Sequence, residues 1–109
     1  MPGGVSVEVS APKLEQVTEC LLGTPRGHKH LRLAVRYGER VLILPEAVVA
    51  AVARAYVTVK THPQRRAVHL SLAEMEGVKD GFAALQLLET DRWDDEIESL
   101  LAELLDRAP

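Results

Sequence analysis

Residues 31–44 have the sequence LRLAVRYGERVLIL. Apolar residues alternate with Arg and Ala over 31–36, the tripeptide Tyr-Gly-Glu follows at 37–39, and a short apolar run occupies 41–44. A period of two is typical of a half-buried strand, and a glycine-containing turn between two such segments is typical of a β-hairpin. This stretch therefore predicts a β-hairpin, and the rest of the predicted sheet is placed relative to it.

The segment before the hairpin predicts a strand followed by a helix. Valines alternate with Ser and Glu over residues 5–9, which is the period of a strand. Ser10 is a suitable N-cap, and Pro12 stands near the first helical position, where its missing N–H costs nothing. The apolar residues that then recur at helical spacing are Leu14, Val17 and Leu21. We expect this helix to end at Gly23.

A second helix and a further strand are predicted after the hairpin. Pro45 suits the first turn of a helix, and Glu46 would lie at its positive end. The apolar stripe of this helix comprises Val48, Val49, Val52, Ala53 and Tyr56. The β-branched residues within 57–61 leave two possibilities open, a continuation of the helix or a separate strand. Alternation over 67–72 predicts another strand.

The sequence changes to a helical pattern from Ser71 onward. Ser71 and Glu74 have the spacing of a capping box, and apolar residues follow at helical intervals. Gly77 and Gly81 lie inside this pattern, so either the helix is broken there or the glycines admit the close approach of another backbone. We favour a break, followed by a short helix over 82–89.

The predicted fold class is α+β. The element order is β-α-β-β-α-β followed by two helices, which is the order of the ferredoxin-like split βαβ sandwich. We expect a four- or five-stranded, mainly antiparallel sheet with two packing helices and a C-terminal helical pair. A chain of 109 residues is most simply one domain, with a body over 1–72 and acidic C-terminal helices over 73–109.

Charge is divided along the chain. Residues 1–72 contain ten Lys/Arg and five Asp/Glu, a formal charge of +5, whereas residues 73–109 contain three Lys/Arg and eleven Asp/Glu, a formal charge of −8. An acidic end joined to a cationic body can cover that body or the body of another copy. The charge division therefore favours a non-enzymatic interaction module that associates with itself, most simply as a homodimer.

The last helix carries the predicted interface. It is expected to begin at Thr90 or Asp91, and its apolar stripe must be buried against its own chain or a partner. Trp93 lies at its start and is either a cap over the core or an interface anchor, since Trp is enriched at binding hot spots. The interface candidates are Trp93, Ile97, Leu100, Leu101, Leu104 and Leu105.

Two basic clusters support an alternative function, the binding of a phosphate-bearing ligand or a nucleic acid. The planar guanidinium group of arginine recognises phosphate and carboxylate groups through paired hydrogen bonds. The alternative interpretation is that both clusters are solvated turns that bind no ligand. The anion-binding candidates are Arg26, Lys29, Arg32, Arg65 and Arg66. Nucleic acid is not favoured as a partner, because the hairpin strands offer no aromatic rings for base stacking and the pI is 5.8.

No catalytic or metal-binding motif is present in the sequence, and no metal or cofactor is predicted. His28 and His30 have a spacing that could point both rings to one side of a strand, but no further metal ligand stands near them. A small hydrolase or isomerase that uses His69 or His30 is a further alternative. Cys20 is the single cysteine, and the longest apolar run is too short to span a bilayer, so a cytoplasmic protein is expected.

Overall fold

The computed structural model of the chain describes residues 7–75 and 84–109. A short 3₁₀ turn at Leu14–Gln16 precedes the first strand. The elements that follow in chain order are β1 (Val17–Gly23), β2 (Arg32–Tyr37), β3 (Arg40–Pro45), α1 (Glu46–Thr61), β4 (Leu70–Glu74), β5 (Leu85–Glu89) and α2 (Asp94–Arg107). The strands form two separate antiparallel sheets, β1-β2-β3 and β4-β5.

The predicted hairpin is confirmed as β2 and β3. Tyr37 is paired with Arg40, so that only Gly38 and Glu39 form the turn. Gly38 has a φ of 55°, in the left-handed region that two-residue hairpin turns use and that glycine adopts without steric cost. The local sequence signal therefore determined this hairpin directly.

Replacing Gly38 by alanine is expected to lower the free energy of unfolding by about 1–2 kcal/mol, because a Cβ is disfavoured at positive φ. No atom lies within 4 Å of the position that this Cβ would occupy, so the loss comes from the backbone conformation alone. Chemical denaturation measures the change. Gly23→Ala is the control, since Gly23 has equally open space and no positive φ, and an equal loss in both variants would contradict this account.

The helix predicted after Pro12 is wrong. Leu14–Gln16 form one 3₁₀ turn, in which the Lys13 N–H donates to the Gln16 Oε1 at 2.7 Å, and the chain then continues as β1. An isolated helix of three turns is marginal in water, whereas the open edge of β2 offers main-chain partners to every second residue. Of the strand predicted over residues 5–9, residues 7–9 have no regular structure and residues 5 and 6 lie outside the described residues.

The open question at residues 57–61 is resolved in favour of helix. Helix α1 runs to Thr61, and its two last threonines donate their hydroxyls to the carbonyls four residues before them, Thr58 to Arg54 at 3.0 Å and Thr61 to Val57 at 2.7 Å. These bonds satisfy polar groups within the helix, so β-branching does not end it.

Residues 70–74 and 85–89 form a second sheet, which confirms the strand predicted over 67–72 for its residues 70–72 but not the helices predicted after Ser71. Ser71 and Glu74 belong to strand β4, so the predicted capping box is wrong, and the predicted helix over 82–89 is wrong where it can be compared, because Leu85–Glu89 is β5. The Met75 N–H donates to the Ala84 carbonyl at 2.6 Å and extends this pairing by one step. The predicted break at Gly77 and Gly81 lies outside the described residues.

These differences overturn the ferredoxin-like prediction. The observed order is β-β-β-α-β-β-α, with a three-stranded and a two-stranded sheet in place of one sheet of four or five strands. The coarser α+β class holds. Two segments account for most of the error: Val17–Gly23 belongs to a predicted helix and forms β1, and Leu85–Glu89 belongs to another and forms β5.

The C-terminal helix is confirmed as α2, with one correction at its start. Its N-cap is Trp93, which makes no side-chain capping bond, instead of Thr90 or Asp91. Asp94, Asp95 and Glu96 fill its first turn, where negative charge is favourable, and Arg107 lies in its last turn. The Arg107 guanidinium donates to the Val7 carbonyl at 3.3 Å and so joins the two ends of the described chain.

The hydrophobic core is small. Among the described residues, the buried hydrophobic side chains are Ala51, Ala67 and Ile97, and no large side chain is fully buried. The radius of gyration is 16.4 Å, whereas a compact domain of this length has about 13 Å. The accessible surface is 8959 Å², against about 6,000 Å² for a folded monomer of this mass. The single chain thus leaves far more surface open than a self-sufficient domain does.

Candidate functional site

Apolar side chains along α2 form the longest exposed stripe on a described helix. Ile97 is buried, but its neighbours on the same face are not, and Leu101 and Leu105 are 52% and 62% exposed. Trp93, at the start of the helix, is 80% exposed and does not cap a core. Of the predicted interface residues, one packs within the chain and the other five remain open to a partner.

Both faces of the three-stranded sheet also carry exposed apolar residues. Leu21 and Leu22 point to opposite faces because they are consecutive in a strand, and both are about three-fifths exposed, at 60% and 62%. Ile43, which lies on the same face as Leu21 at the other end of the strand order, is 62% exposed. Single apolar residues scattered over a surface are ordinary in soluble proteins. Here they are concentrated on both helices and both sheets, which is unusual for a monomer.

Arg66 connects the acidic start of α2 to the loop before β4. Its backbone N–H donates to the Asp94 carboxylate at 2.8 Å, and its guanidinium donates to Asp95 at 2.6 Å and to the two Glu98 oxygens at 3.0 and 3.2 Å. The two-pronged hydrogen bond with Glu98 raises the pKa of Arg66 above its ordinary value. Acidic residues of the C-terminal segment therefore face an arginine of the body, as the charge division predicts.

The neighbouring arginine is also occupied. Arg65 donates to the Glu89 carboxylate at the end of β5. Arg65 and Arg66, two of the five predicted anion-binding residues, are thus brought together with carboxylates of their own chain. An added anion would compete with these carboxylates for the guanidinium groups.

A surface cavity of about 480 Å³ lies where the start of α1, the start of β2 and the strand β5 meet. Its wall is formed by the residues His30, Arg32, Pro45, Glu46, Ala47, Ala50, Arg54, Leu85, Gln86 and Leu87. The volume is within the range of small-molecule sites. The wall combines alanine and leucine side chains with two guanidinium groups and the Glu46 carboxylate, so its charged groups sum to +1 and suit a small ligand with an anionic group and an apolar part.

Arg32 and Arg54 supply the positive charge of this cavity. One nitrogen of Arg32, Nη1, donates to the carbonyls of His30 and Leu31, each at 3.2 Å, which fixes the direction of its guanidinium. Glu46 accepts a hydrogen bond from the Leu31 N–H at 2.7 Å through Oε1. Arg54 is not among the residues predicted to bind an anion, although Ala47, Ala50 and Arg54 have the spacing of one helical face.

The other basic candidates, Arg26 and Lys29, are not part of this cavity. They lie exposed in the loop between β1 and β2 and form no hydrogen bond or ion pair with the rest of the described chain. The predicted five-residue anion site is therefore distributed over three places. Of the five predicted residues, Arg32 alone shares a cavity with an arginine, Arg54, whose guanidinium is not paired with a carboxylate of the described residues.

The histidine considered for catalysis has a hydroxyl partner. His69 Nδ1 lies 2.7 Å from the Thr90 Oγ1, and the Thr90 N–H donates to the His69 carbonyl at 2.9 Å. This pair joins the residues that flank β4 and β5. Within residues 7–75 and 84–109, no three His, Cys, Asp or Glu side chains come close enough to hold a metal ion.

Comparison of the chain with protein-family models, curated proteins and solved structures gave no match. None of the helices in the described part of the chain has the length and apolar character that crossing a membrane requires. The function is therefore argued from the surfaces and cavities of this chain alone.

Proposed function

We propose that this chain is a non-enzymatic interaction module whose stable form is a homodimer. The observation that carries the proposal is the distribution of apolar side chains. In the described residues three small or medium hydrophobic side chains are buried, while large ones on every strand pair and both helices are exposed. The interfaces of obligate homodimers are more hydrophobic than other protein interfaces, so the apolar area that one chain leaves open suits such an interface.

The amount of open surface supports association between copies. The surface of 8959 Å² exceeds that of a folded monomer of this mass by about 3,000 Å². Obligate dimers bury about 2,000–5,000 Å² in total, or about 1,000–2,500 Å² from each chain, so one such interface would cover a large part of this excess.

Helix α2 is suited to contribute to that interface. The hydrogen bonds of Arg66 hold the acidic N-terminal part of α2 against the body. Ile97, which lies on the same helix face as the leucine stripe, is buried within the chain. The stripe beyond Ile97 is thereby presented to the outside on a fixed helix. A helix whose apolar face is open in this way fits a second apolar surface better than it fits water.

The concentration dependence of thermal unfolding tests the proposal. For an obligate dimer, the melting midpoint rises with protein concentration because unfolding also dissociates the subunits. We expect a clear rise over roughly a hundredfold range of concentration. A midpoint that is independent of concentration over this range would contradict a homodimer as the stable form.

A second candidate function is the binding of a small anion in the cavity beside α1. Arg32 and Arg54 support it, because two guanidinium groups line one cavity that also has apolar walls. A phosphate or carboxylate group would accept hydrogen bonds from both, and the alanine and leucine side chains would contact the rest of the ligand. The anion site proposed here therefore consists of Arg32 and Arg54 instead of the five residues predicted from the sequence.

Replacing Arg54 by glutamine is expected to weaken the binding of inorganic phosphate by about 10- to 100-fold, because a hydrogen bond to a charged group contributes about 1.5–3 kcal/mol. Titration calorimetry at low and high salt measures it. Lys60→Gln is the matched control, since it removes the same charge from the same helix outside the cavity. Equal effects of the two substitutions would show that the binding is non-specific.

A further inference from the structure

We propose that the two copies of this homodimer pair through their β1 strands, antiparallel and with Leu21 of each copy opposite Leu21 of the other. The inference rests on the proposed self-association and specifies how the two sheets pair within the interface to which the leucine stripe of α2 also contributes. Two copies of the three-stranded sheet would then form one continuous six-stranded sheet. The proposal follows from the free edge of β1, from the registers that its sequence allows, and from the charges at its two ends.

The outer edge of β1 is open. Strand β1 is the first in the order β1-β2-β3, and no other described strand pairs with its outer side. It contains no proline, and its single charged residue, Glu19, is neutralised by Arg36 of the neighbouring strand at 3.1 Å. An exposed apolar edge with unpaired main-chain groups is a template for another strand.

The opposite edge of the same sheet is less suitable. Strand β3 ends at Pro45, which has no N–H to donate, and begins at Arg40, whose guanidinium lies 3.4 Å from Glu8 of the N-terminal segment. Proline is one of the means by which native edges avoid pairing, and β1 contains none. The pairing of a second copy is therefore assigned to β1.

The sequence of β1 selects the register. A β-bulge disturbs the regular pairing between Val17 and Glu19, which leaves residues 19–23 as the regular part of the edge. A two-fold axis through Leu21 uses all of this part and places Glu19 opposite Gly23 and Cys20 opposite Leu22. An axis through Glu19 would place two like charges opposite each other, which is unfavourable.

Charges beyond the strand agree with an antiparallel arrangement. Glu15 precedes the N-terminal end of the edge, with Lys13 further out, whereas Arg26 and Lys29 follow its C-terminal end. Antiparallel pairing brings Glu15 of one copy towards Arg26 of the other. It also gives a role to Arg26 and Lys29, which form no hydrogen bond or ion pair with other described residues of their own chain.

Disulfide crosslinking reads this register directly. Residues directly opposite each other have Cα atoms about 4.5–5.5 Å apart, which allows a disulfide, whereas diagonal positions are about 7–8 Å apart, which does not. A Cys20→Ser and Leu21→Cys double variant should be oxidised rapidly to a covalent dimer by a mild oxidant. The native chain with Cys20 alone should form it far more slowly, and Cys20→Ser alone should not form it.

Placing a lysine on the edge provides a second, independent test. Leu21→Lys puts two ammonium groups opposite each other and should weaken the dimer by at least tenfold, measured by sedimentation equilibrium. Ile43→Lys is the matched control, because Ile43 lies on the same sheet face with nearly the same exposure but on the β3 edge. A greater effect of Ile43→Lys, or crosslinking through Cys20 faster than through position 21, would overturn the proposal.

The crosslinking result separates the two levels of inference. A dimeric mass without crosslinking at position 21 would overturn the β1 geometry and leave the proposed self-association in place. A monomeric mass at all concentrations would overturn both.

Discussion

Replacing Ile97 by alanine is expected to lower the free energy of unfolding by about 2–5 kcal/mol, the range for truncating a buried Ile or Leu side chain to alanine. Ile97 is only 6% exposed and is the largest of the three hydrophobic residues buried in the described chain. A small domain has a total stability of about 5–15 kcal/mol, so this loss would leave the fold marginal. Chemical denaturation at one fixed protein concentration measures the change.

Two controls separate the burial of Ile97 from a general sensitivity of the chain. Ile97→Val removes one methylene and should cost about 0.5–1.5 kcal/mol. Leu14→Ala alters a side chain that is 86% exposed and should change stability by less than about 0.5 kcal/mol. A change of that small size in Ile97→Ala would show that Ile97 does not hold α2 in place.

Replacing Leu101 and Leu105 together by lysine is expected to weaken the homodimer by about 100-fold or more. Each leucine buried at an interface contributes about 1.5 kcal/mol or more, and about 1.4 kcal/mol corresponds to a factor of ten. Both side chains are more than half exposed in the single chain, so the monomer should keep its fold. Sedimentation equilibrium measures the dissociation constant, and circular dichroism checks the helix content.

The matched control for this variant is Ser99→Lys with Ala102→Lys. It adds the same charge to the same helix, on exposed positions that lie away from the leucine stripe. We expect this control to leave the dissociation constant within about threefold of the unmodified chain, because lysine is a good helix former and the apolar face is intact. Equal weakening in both variants would assign the effect to net charge instead of apolar contact.

The elements predicted correctly from the sequence are those whose signals are local. The β2–β3 hairpin follows from alternation on either side of Gly38, and α2 follows from a leucine stripe with acidic residues in its first turn. Strand β1 does not follow in this way. Leu14, Val17 and Leu21 also satisfy a helical spacing, and it is the pairing with β2, a contact distant in sequence, that decides for a strand.

The second sheet was missed for a related reason. Strand β5 has the sequence LQLLE, which lacks β-branched residues and fits a helix equally well by composition. Its partner β4 overlaps a Ser71–Glu74 spacing that resembles a capping box. Leu72 is paired with Leu87. This register arises from the tertiary fold and cannot be predicted from the sequence of either strand alone.

The candidate sites show the same limit. The division of charge predicts that carboxylates of the C-terminal segment face arginines of the body, and Arg66 with Glu98 shows this pairing. The sequence alone does not indicate which arginines are paired with these carboxylates. Arg54 was missed because a single arginine on a helix has no distinguishing neighbour, and its pairing with Arg32 depends on the packing of α1 beside β2.

The molar mass of the unmodified chain in solution tests the central claim most directly. The chain has a mass of 12.0 kDa, and we expect sedimentation equilibrium at micromolar concentration to give twice that value. Because apolar burial holds the proposed dimer, the doubled mass should persist when salt is raised to molar concentration, where surface charges are screened within about 3 Å. A mass of one chain at both salt concentrations would contradict the account.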